Sequence, residues 1–301
     1  MNLTLNVGGL VNTMPLDQVI QLSKQSGFDS ADYSLECMID PACHYHGPDA
    51  LKIAESIGAQ MRQGNFPIRQ THAPFSFKNI KDQAVFDNFI YPAIVRSIEV
   101  SAALGAKITV VHPLHHVVYE GHEEELFEMN MKFYRSLIPV CQSCGIKVAL
   151  ENMFQTDPRR KHITHDTCSD PYEFCRYVDT LNSEYMVACL DVGHIGLVPQ
   201  RIEAWDAIRI LGHDRLQALH IHDNDYKADL HILPYTGMLN WDEITRALGE
   251  IDYAGDFTYE VSVSKFTNTM DESFFPIALR YMGDVGRHLV ELVDRNRPKM
   301  P

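Results

Sequence analysis

The sequence predicts an α/β fold, a (β/α)8 TIM barrel built as one domain over residues 1–301, and three observations carry that prediction. Short β-rich runs alternate with helical patterns along the whole chain, the rhythm of parallel sheets with crossover helices. The length of 301 residues suits one barrel of roughly 250 residues plus insertions. No GxGxxG follows the first run, where Gly8-Gly9 is only a turn signal, so the dinucleotide fingerprint of an open doubly wound sheet is missing.

The runs read as strands are 3–7, 30–35, 68–72, 108–112, 147–151, 186–191, 216–220 and 257–260. Several are almost continuously apolar, such as Ile108-Thr109-Val110-Val111 and Val148-Ala149-Leu150, as befits strands covered on both faces. Helices are predicted over 17–26, 48–62, 82–104, 123–144, 171–181, 202–211, 241–249 and 276–296. Gly27, Gly105 and Gly145 follow three of them, where a left-handed cap residue is needed. Pro171 suits a first helical turn behind a Ser169 or Asp170 cap, and Asn240 reads as a cap for the helix opening at Trp241.

Composition narrows the function classes. Charged residues are 22% and hydrophobic residues 45% of the chain, an ordinary globular balance. The formal net charge of −14 disfavours a phosphate backbone as partner, and the longest basic cluster is Arg159-Arg160-Lys161. That cluster reads as solvated, with a grip on a substrate phosphate as the alternative. No apolar stretch approaches the ~20 residues of a membrane span. The N-terminal segment lacks the basic and apolar regions of a signal peptide, and seven cysteines form an odd set; together these predict reduced thiols in a cytoplasmic protein. The Cys141/Cys144 pair falls late in a helical pattern and reads as packing.

The chemistry is concentrated at strand ends. Strands three to eight finish at His72, His112, Glu151, Asp191, His220 and Glu260, separated by 40, 39, 40, 29 and 40 residues. One βα unit separates each from the next, and a barrel gathers such ends around one rim. Imidazoles and carboxylates crowded together repel or desolvate one another unless a cation compensates them. Mixed nitrogen and oxygen donors suit zinc or manganese, with cobalt, iron and magnesium as further options. Strand alternation is taken to turn His222 away from the mouth, so it is not counted as a ligand; Asp223 is assigned a supporting role behind the ligands.

The motifs Leu150-Glu151-Asn152, Asp191-Val192-Gly193-His194, His220-x-x-Asp223, Gly237-x-x-x-Trp241-x-x-Ile244 and Tyr253-x-Gly255 before Glu260 resemble the xylose isomerase-like barrel superfamily of sugar isomerases and epimerases. The resemblance runs from about Gly27 to Glu260. It implies one divalent metal held by Glu151, Asp191, His220 and Glu260, and a carbohydrate substrate, free or phosphorylated. Glu151 and Glu260 would then share acid–base work on opposite faces of a ketose through a metal-stabilised enediolate. The chain is also similar to endonuclease IV, a multi-zinc phosphodiesterase acting on abasic DNA, whose further ligands match His72, His112, His194, Asp229 and His231. That likeness allows up to three metals, or the same residues as sugar contacts around one metal. Against the nuclease, Glu151 is followed by Asn152-Met153-Phe154 rather than Thr-Ala-Gly, and no basic or aromatic loop suited to gripping a bent duplex is evident. A metal-dependent sugar-binding protein without turnover uses the same residues.

Glu36, His115, Arg159 and Trp241 are further candidates for substrate contact, with Tyr33, Phe75, Phe77 and Phe154 as lining and the segment 112–122 as a lid or an exposed loop. For Trp241 packing at a helix start is the favoured reading, because Asn240 reads as a cap. A homo-oligomer is compatible with all of this.

Overall fold

Why the ligand candidates converge follows from one periodicity. The structure, a computed structural model, describes residues 1–75, 82–263 and 268–298. Phe77 lies outside the described residues. Five parallel strands run in chain order: β1 (Leu3–Asn6), β2 (Ser30–Ser34), β3 (Ile68–His72), β4 (Ile108–Val111) and β5 (Lys147–Glu151). A short antiparallel hairpin follows, β6 (Phe154–Thr156) with β7 (Ile163–His165). The barrel resumes with β8 (Met186–Asp191), β9 (Leu216–His220) and β10 (Phe257–Tyr259). The sheet order is β10-β1-β2-β3-β4-β5-β8-β9, and the seam closes where Ile221 N–H donates to Thr258 O (2.8 Å) and Glu260 N–H donates to Ile221 O (3.1 Å). Eight parallel strands thus form the predicted barrel. His112 and Glu260 lie one residue beyond their strands rather than within them.

Side chains alternate along each strand, one set facing the helices and the other the barrel interior. Val110, Ala149, Val187, Cys189 and Ala218 form an apolar cluster inside the barrel. Two residues beyond Val110 comes His112, beyond Ala149 comes Glu151, beyond Cys189 comes Asp191, and beyond Ala218 comes His220. The ligand candidates are therefore the next inward layer, at the carboxyl end. Across the barrel the interior is polar: Thr4 pairs with Ser30 at 2.6 Å, Asn6 Nδ2 donates to Asp32 at 2.9 Å, and Thr258 Oγ1 donates to Gln70 Oε1 at 3.5 Å.

The helices behave largely as predicted. Gly27, Gly105 and Gly145 adopt φ of 92°, 97° and 63°. Asp170 caps the helix Pro171–Leu181 through Tyr172 N–H and Glu173 N–H, and Asn240 caps Trp241–Glu250 through Glu243 N–H. One expectation changes: the helix drawn over 82–104 is Gln83–Val85, a wider turn over Phe86–Ile90, then Tyr91–Leu104. Pro92 lacks the N–H for an i→i−4 bond, which explains why the regular helix restarts there. Among the described residues no helix is long and apolar enough to cross a membrane.

Candidate metal centre

The mouth of the barrel holds a central donor set, Glu151, Asp191, His220 and Glu260, whose ligating atoms all lie within 4.8 Å of one another. His220 Nδ1 sits 3.0 Å from Glu151 Oε1, 3.3 Å from Glu260 Oε2 and 3.9 Å from Asp191 Oδ2. Glu151, Asp191 and His220 are buried, while Glu260 faces the cleft. Three carboxylates around one imidazole in a desolvated site demand positive charge. Without a cation, histidine protonation supplies it. Burial works against a charged His220, yet Glu260 and Glu151 hold its pKa well above the usual value. Burial works against an ionised Glu151, yet His220 and His112 hold its carboxyl well below the usual range. Glu151 Oε2 is buried with histidine nitrogens beside it, His112 Nε2 at 3.0 Å and His72 Nε2 at 3.5 Å, a donor set that fits a cation.

Besides an overlapping set of His72, His220 and Glu260, two more sets flank this one. His72, His112 and Glu151 form the first, with Glu151 Oε2 lying 3.5 Å from His72 Nε2 and 3.0 Å from His112 Nε2. Burial pushes His112 down to about 4, against the pull of Glu151, which leaves a neutral imidazole suited to ligation. The second contains His194, His222, Asp229 and His231. Asp229 Oδ2 lies 2.9 Å from His231 Nε2 and 3.8 Å from His194 Nε2. Despite burial, the neighbouring carboxylates push His194 up to about 10 and His231 up to about 9. Each shared carboxylate links neighbouring sets: Glu151 belongs to two, and Asp191 reaches His222 Nε2 at 3.0 Å.

His222 corrects the sequence reading. Positions two apart on extended backbone share a face, so alternation places His222 beside His220, not opposite it. Its ring stacks on His231 (centroids 4.1 Å, 13° between planes) and touches Asp191. Gly193 makes room for it: a Cβ there would lie 2.1 Å from His222 Cε1.

A second layer fixes these groups. Asn152 Nδ2 donates to Asp191 O (3.0 Å), its Oδ1 accepts from Asp191 N–H (2.8 Å), and its carbonyl lies 2.8 Å from His194 Nδ1. Asp223 is fully buried and accepts five N–H groups: Asn224 and Leu239 at Oδ1, and Tyr235, Gly237 and Trp241 Nε1 at Oδ2. A Cβ on Gly237 would meet Asp223 Oδ1 at 2.3 Å. The motifs His220-x-x-Asp223 and Gly237-x-x-x-Trp241 are thus two halves of one knot holding the loop that carries Asp229 and His231. Asp32, beneath the site on β2, was not singled out in the sequence; burial pushes it up to about 6.

The metal-free protein should lose stability as pH rises. His194 and His231 are raised in the fold to about 10 and about 9, above an unfolded value near ~6.5. Their contribution is full below the unfolded value and is lost as pH climbs through the folded ones. Melting in chelator between roughly pH 7 and 10 should show a falling midpoint. With divalent cation the fall should flatten, because ligation replaces the protons. Parallel curves with and without cation would count against these histidines as ligands.

The cleft above the centre has a volume of about 590 Å3 and is walled by Phe75, His115, Val117 and Phe154 around His112 and Glu260. The segment 112–122 forms part of this wall, so it is not merely an exposed loop. Glu36 and Tyr33 line an adjoining cavity of about 920 Å3 that shares His72, Phe75 and Glu260. Two candidates are not brought in. Trp241 is 1% exposed with its indole N–H spent on Asp223, so it is a packing residue. Arg159 is exposed at the hairpin turn and does not line the cleft.

Comparison places these features among known proteins. A protein from Sinorhizobium fredii, y4fM, is 28% identical over 173 residues, covering 56% of this chain and 51% of its own length. A D-psicose 3-epimerase from Enterocloster bolteae is 29% identical over 121 residues, covering 40% of this chain and 35% of that protein. The chain thus spans about half or less of these two relatives. Among solved structures, a D-tagatose 3-epimerase-like protein superimposes with a TM-score of 0.71 at 20% identity, over 98% of this chain and 99% of the other. IolI with a bound zinc atom gives 0.71 at 17% identity, over 99% and 100%. At these identities the structural likeness speaks for the fold alone. A family model described as xylose isomerase-like TIM barrel matches residues 20–274, and the chain belongs to that family.

Proposed function

We propose that this chain is a divalent-metal-dependent carbohydrate isomerase or epimerase. The observation that supports it most is the convergence of Glu151 Oε1 and Glu260 Oε2 on His220 Nδ1, at 3.0 and 3.3 Å, in the lining of one cleft. Glu151, Asp191, His220 and Glu260 would hold the cation, and manganese or zinc suits their donors. A bound cation polarises a carbonyl and stabilises the negative charge that develops beside it. Glu151 and Glu260 then work at the adjacent carbon: one carboxylate takes its proton and the other returns one to the opposite face. Asp191 and His220 keep the two glutamates apart and oriented. The epimerase activities named for the similar proteins agree with this reading.

The test is incorporation of deuterium from solvent into free ketohexoses and their phosphate esters, followed by proton NMR with added manganese or zinc. Exchange at a carbon next to the carbonyl is the expected result. Ketose binding without exchange across the panel would make the chain a binding protein. The two flanking donor sets favour a second reading, a three-cation phosphodiesterase, since they complete a chain of ligands across the mouth. Incision of an abasic DNA duplex by the zinc-loaded protein, without ketose exchange, is the outcome that reading requires.

A further inference from the structure

Of the seven cysteines only Cys37 is exposed, and its sulfur lies 3.0 Å from that of Cys43. Both thiols are free. Cys37 falls in the short turn of helix Glu36–Ile39 just after β2, and Cys43 follows in the loop that leads to the helix Ala50–Gln63. Two consecutive turns bring the pair together: Asp40 N–H donates to Cys37 O (3.0 Å), and Cys43 N–H donates to Asp40 O (2.9 Å). Asp40 Oδ1 also accepts Ala42 N–H (2.9 Å), with the fixed φ of Pro41 between them. Beyond the pair, His46 N–H donates to Cys43 O (3.0 Å), and its ring Nε2 lies 2.9 Å from Met38 O. The backbone therefore sets the two side chains against each other, and a sulfur–sulfur bond of ~2 Å needs each sulfur to move by only about half an ångström.

This loop walls the cavity of about 920 Å3 that shares His72, Phe75 and Glu260 with the metal centre, and both cysteines line it beside Glu36 and Tyr33. Packing does not account for the pair. A cysteine that packs behaves as a small buried hydrophobe, as Cys141, Cys168 and Cys189 do in the core. Cys37 is exposed and Cys43 half-buried, so their contact covers little apolar surface. Partial desolvation, then the contact with Cys43, pushes the Cys37 thiol up to about 12, and Glu36 and Asp40 add to the rise. A thiol raised in this way supplies little thiolate at neutral pH, so its exchange reactions are slow there and faster in alkaline buffer.

We propose that Cys37 and Cys43 form a reversible dithiol–disulfide site, which takes a small-molecule disulfide of the glutathione class as its oxidant and stiffens this wall of the cavity when oxidised. One protein thiolate attacks a sulfur of the small disulfide, expels one small thiolate and leaves a mixed disulfide. The other protein thiolate attacks the protein sulfur of that mixed disulfide and expels the second small thiolate. Two protein S–H bonds are replaced by one S–S bond, and their two protons end on the two released thiols. The protein sulfurs are oxidised and the small disulfide is reduced, so electrons balance with no further reactant. An excess of small dithiol runs the sequence backwards. The site does not depend on the reaction proposed at the metal centre.

The experiment incubates the full chain, reduced and then freed of reductant, with oxidised glutathione in mildly alkaline buffer, for the wild type, Cys37→Ser and Cys43→Ser. Free thiols are counted in denaturant, and mass spectrometry follows the tryptic peptide 25–52, which carries both cysteines. The wild type should lose two of its seven thiols. Its peptide should lose two hydrogens and carry no glutathione, and dithiothreitol should restore both thiols. Each serine variant should lose at most one thiol, to glutathione, because the second displacement is missing. Amide hydrogen exchange over residues 36–46 should slow by on the order of threefold or more in the oxidised wild type and stay unchanged in the variants. A wild type that keeps all its thiols, or that carries glutathione on Cys37 or Cys43 without closing, overturns the proposal. So does an oxidised loop whose amides exchange as fast as in the reduced protein. A loss of two thiols that persists in Cys37→Ser would place the disulfide elsewhere and overturn it as well.

Discussion

Glu151→Gln is expected to strip the protein of cation and of turnover together. Glu151 is the one residue shared by the central set and the His72–His112 set. Its Oε1 lies 3.0 Å from His220 Nδ1, and its Oε2 lies 3.0 Å from His112 Nε2. Glutamine fills the same volume but removes the charge and turns one oxygen into a donor that faces imidazoles. Metal content should fall by at least one cation per chain on elemental analysis. Ketose exchange should fall by about 10³-fold or more, the combined scale of a lost ligand and a lost acid–base group. A near-wild-type melt in chelator would show that the fold survives. A Glu151→Gln protein with full metal content and full exchange would contradict both roles given to this carboxylate.

Asp223→Ala should be the most destabilising single change near the site, although Asp223 lies in no donor set. Alanine would leave five N–H groups without their acceptor in a buried region. One buried unsatisfied donor costs about 1–3 kcal/mol, and these five relax together rather than adding, so a loss of about 3 kcal/mol or more is expected in denaturant melts. Asp223→Asn keeps one acceptor oxygen and should fall between. The loop carrying Asp229 and His231 should loosen with it, so cation affinity should drop as well. A loss below about 1 kcal/mol for Asp223→Ala would show that water or a shifted loop satisfies those donors.

The barrel was legible because several of its strands, β4, β5 and β9 among them, are short and largely apolar, and strands alternate with helical patterns along the chain. The residue that ends each run inherits the inward direction, which is why His72, Glu151, Asp191 and His220 could be named in advance. The hairpin of β6 and β7 was not legible, since three-residue strands show no periodicity long enough to read. That hairpin brings Phe154 and Gln155 to the cleft and ends beside Asp166, whose pairing with His115 joins residues 51 positions apart. Nothing local marks such a contact. His222 was legible in principle, because the same two-residue rule that selected His220 also selects it. For Trp241 and Arg159 the packing and solvated readings fit the structure and the substrate contact does not: an aromatic or basic side chain in the right segment says nothing about which way it faces. The motif around Trp241 reports a structural knot, and only the carboxylate of Asp223 reveals it.

The central claim is that the carboxylate and histidine cluster at the barrel mouth holds a divalent cation. Elemental mass spectrometry on the protein purified without chelator, repeated after manganese or zinc loading and desalting, tests it most directly. The account predicts at least one cation per chain. A value near one would identify the central set of Glu151, Asp191, His220 and Glu260, and a value near three would add the two flanking sets. Less than about a tenth of a cation per chain after loading, with an unchanged melt, would contradict the account.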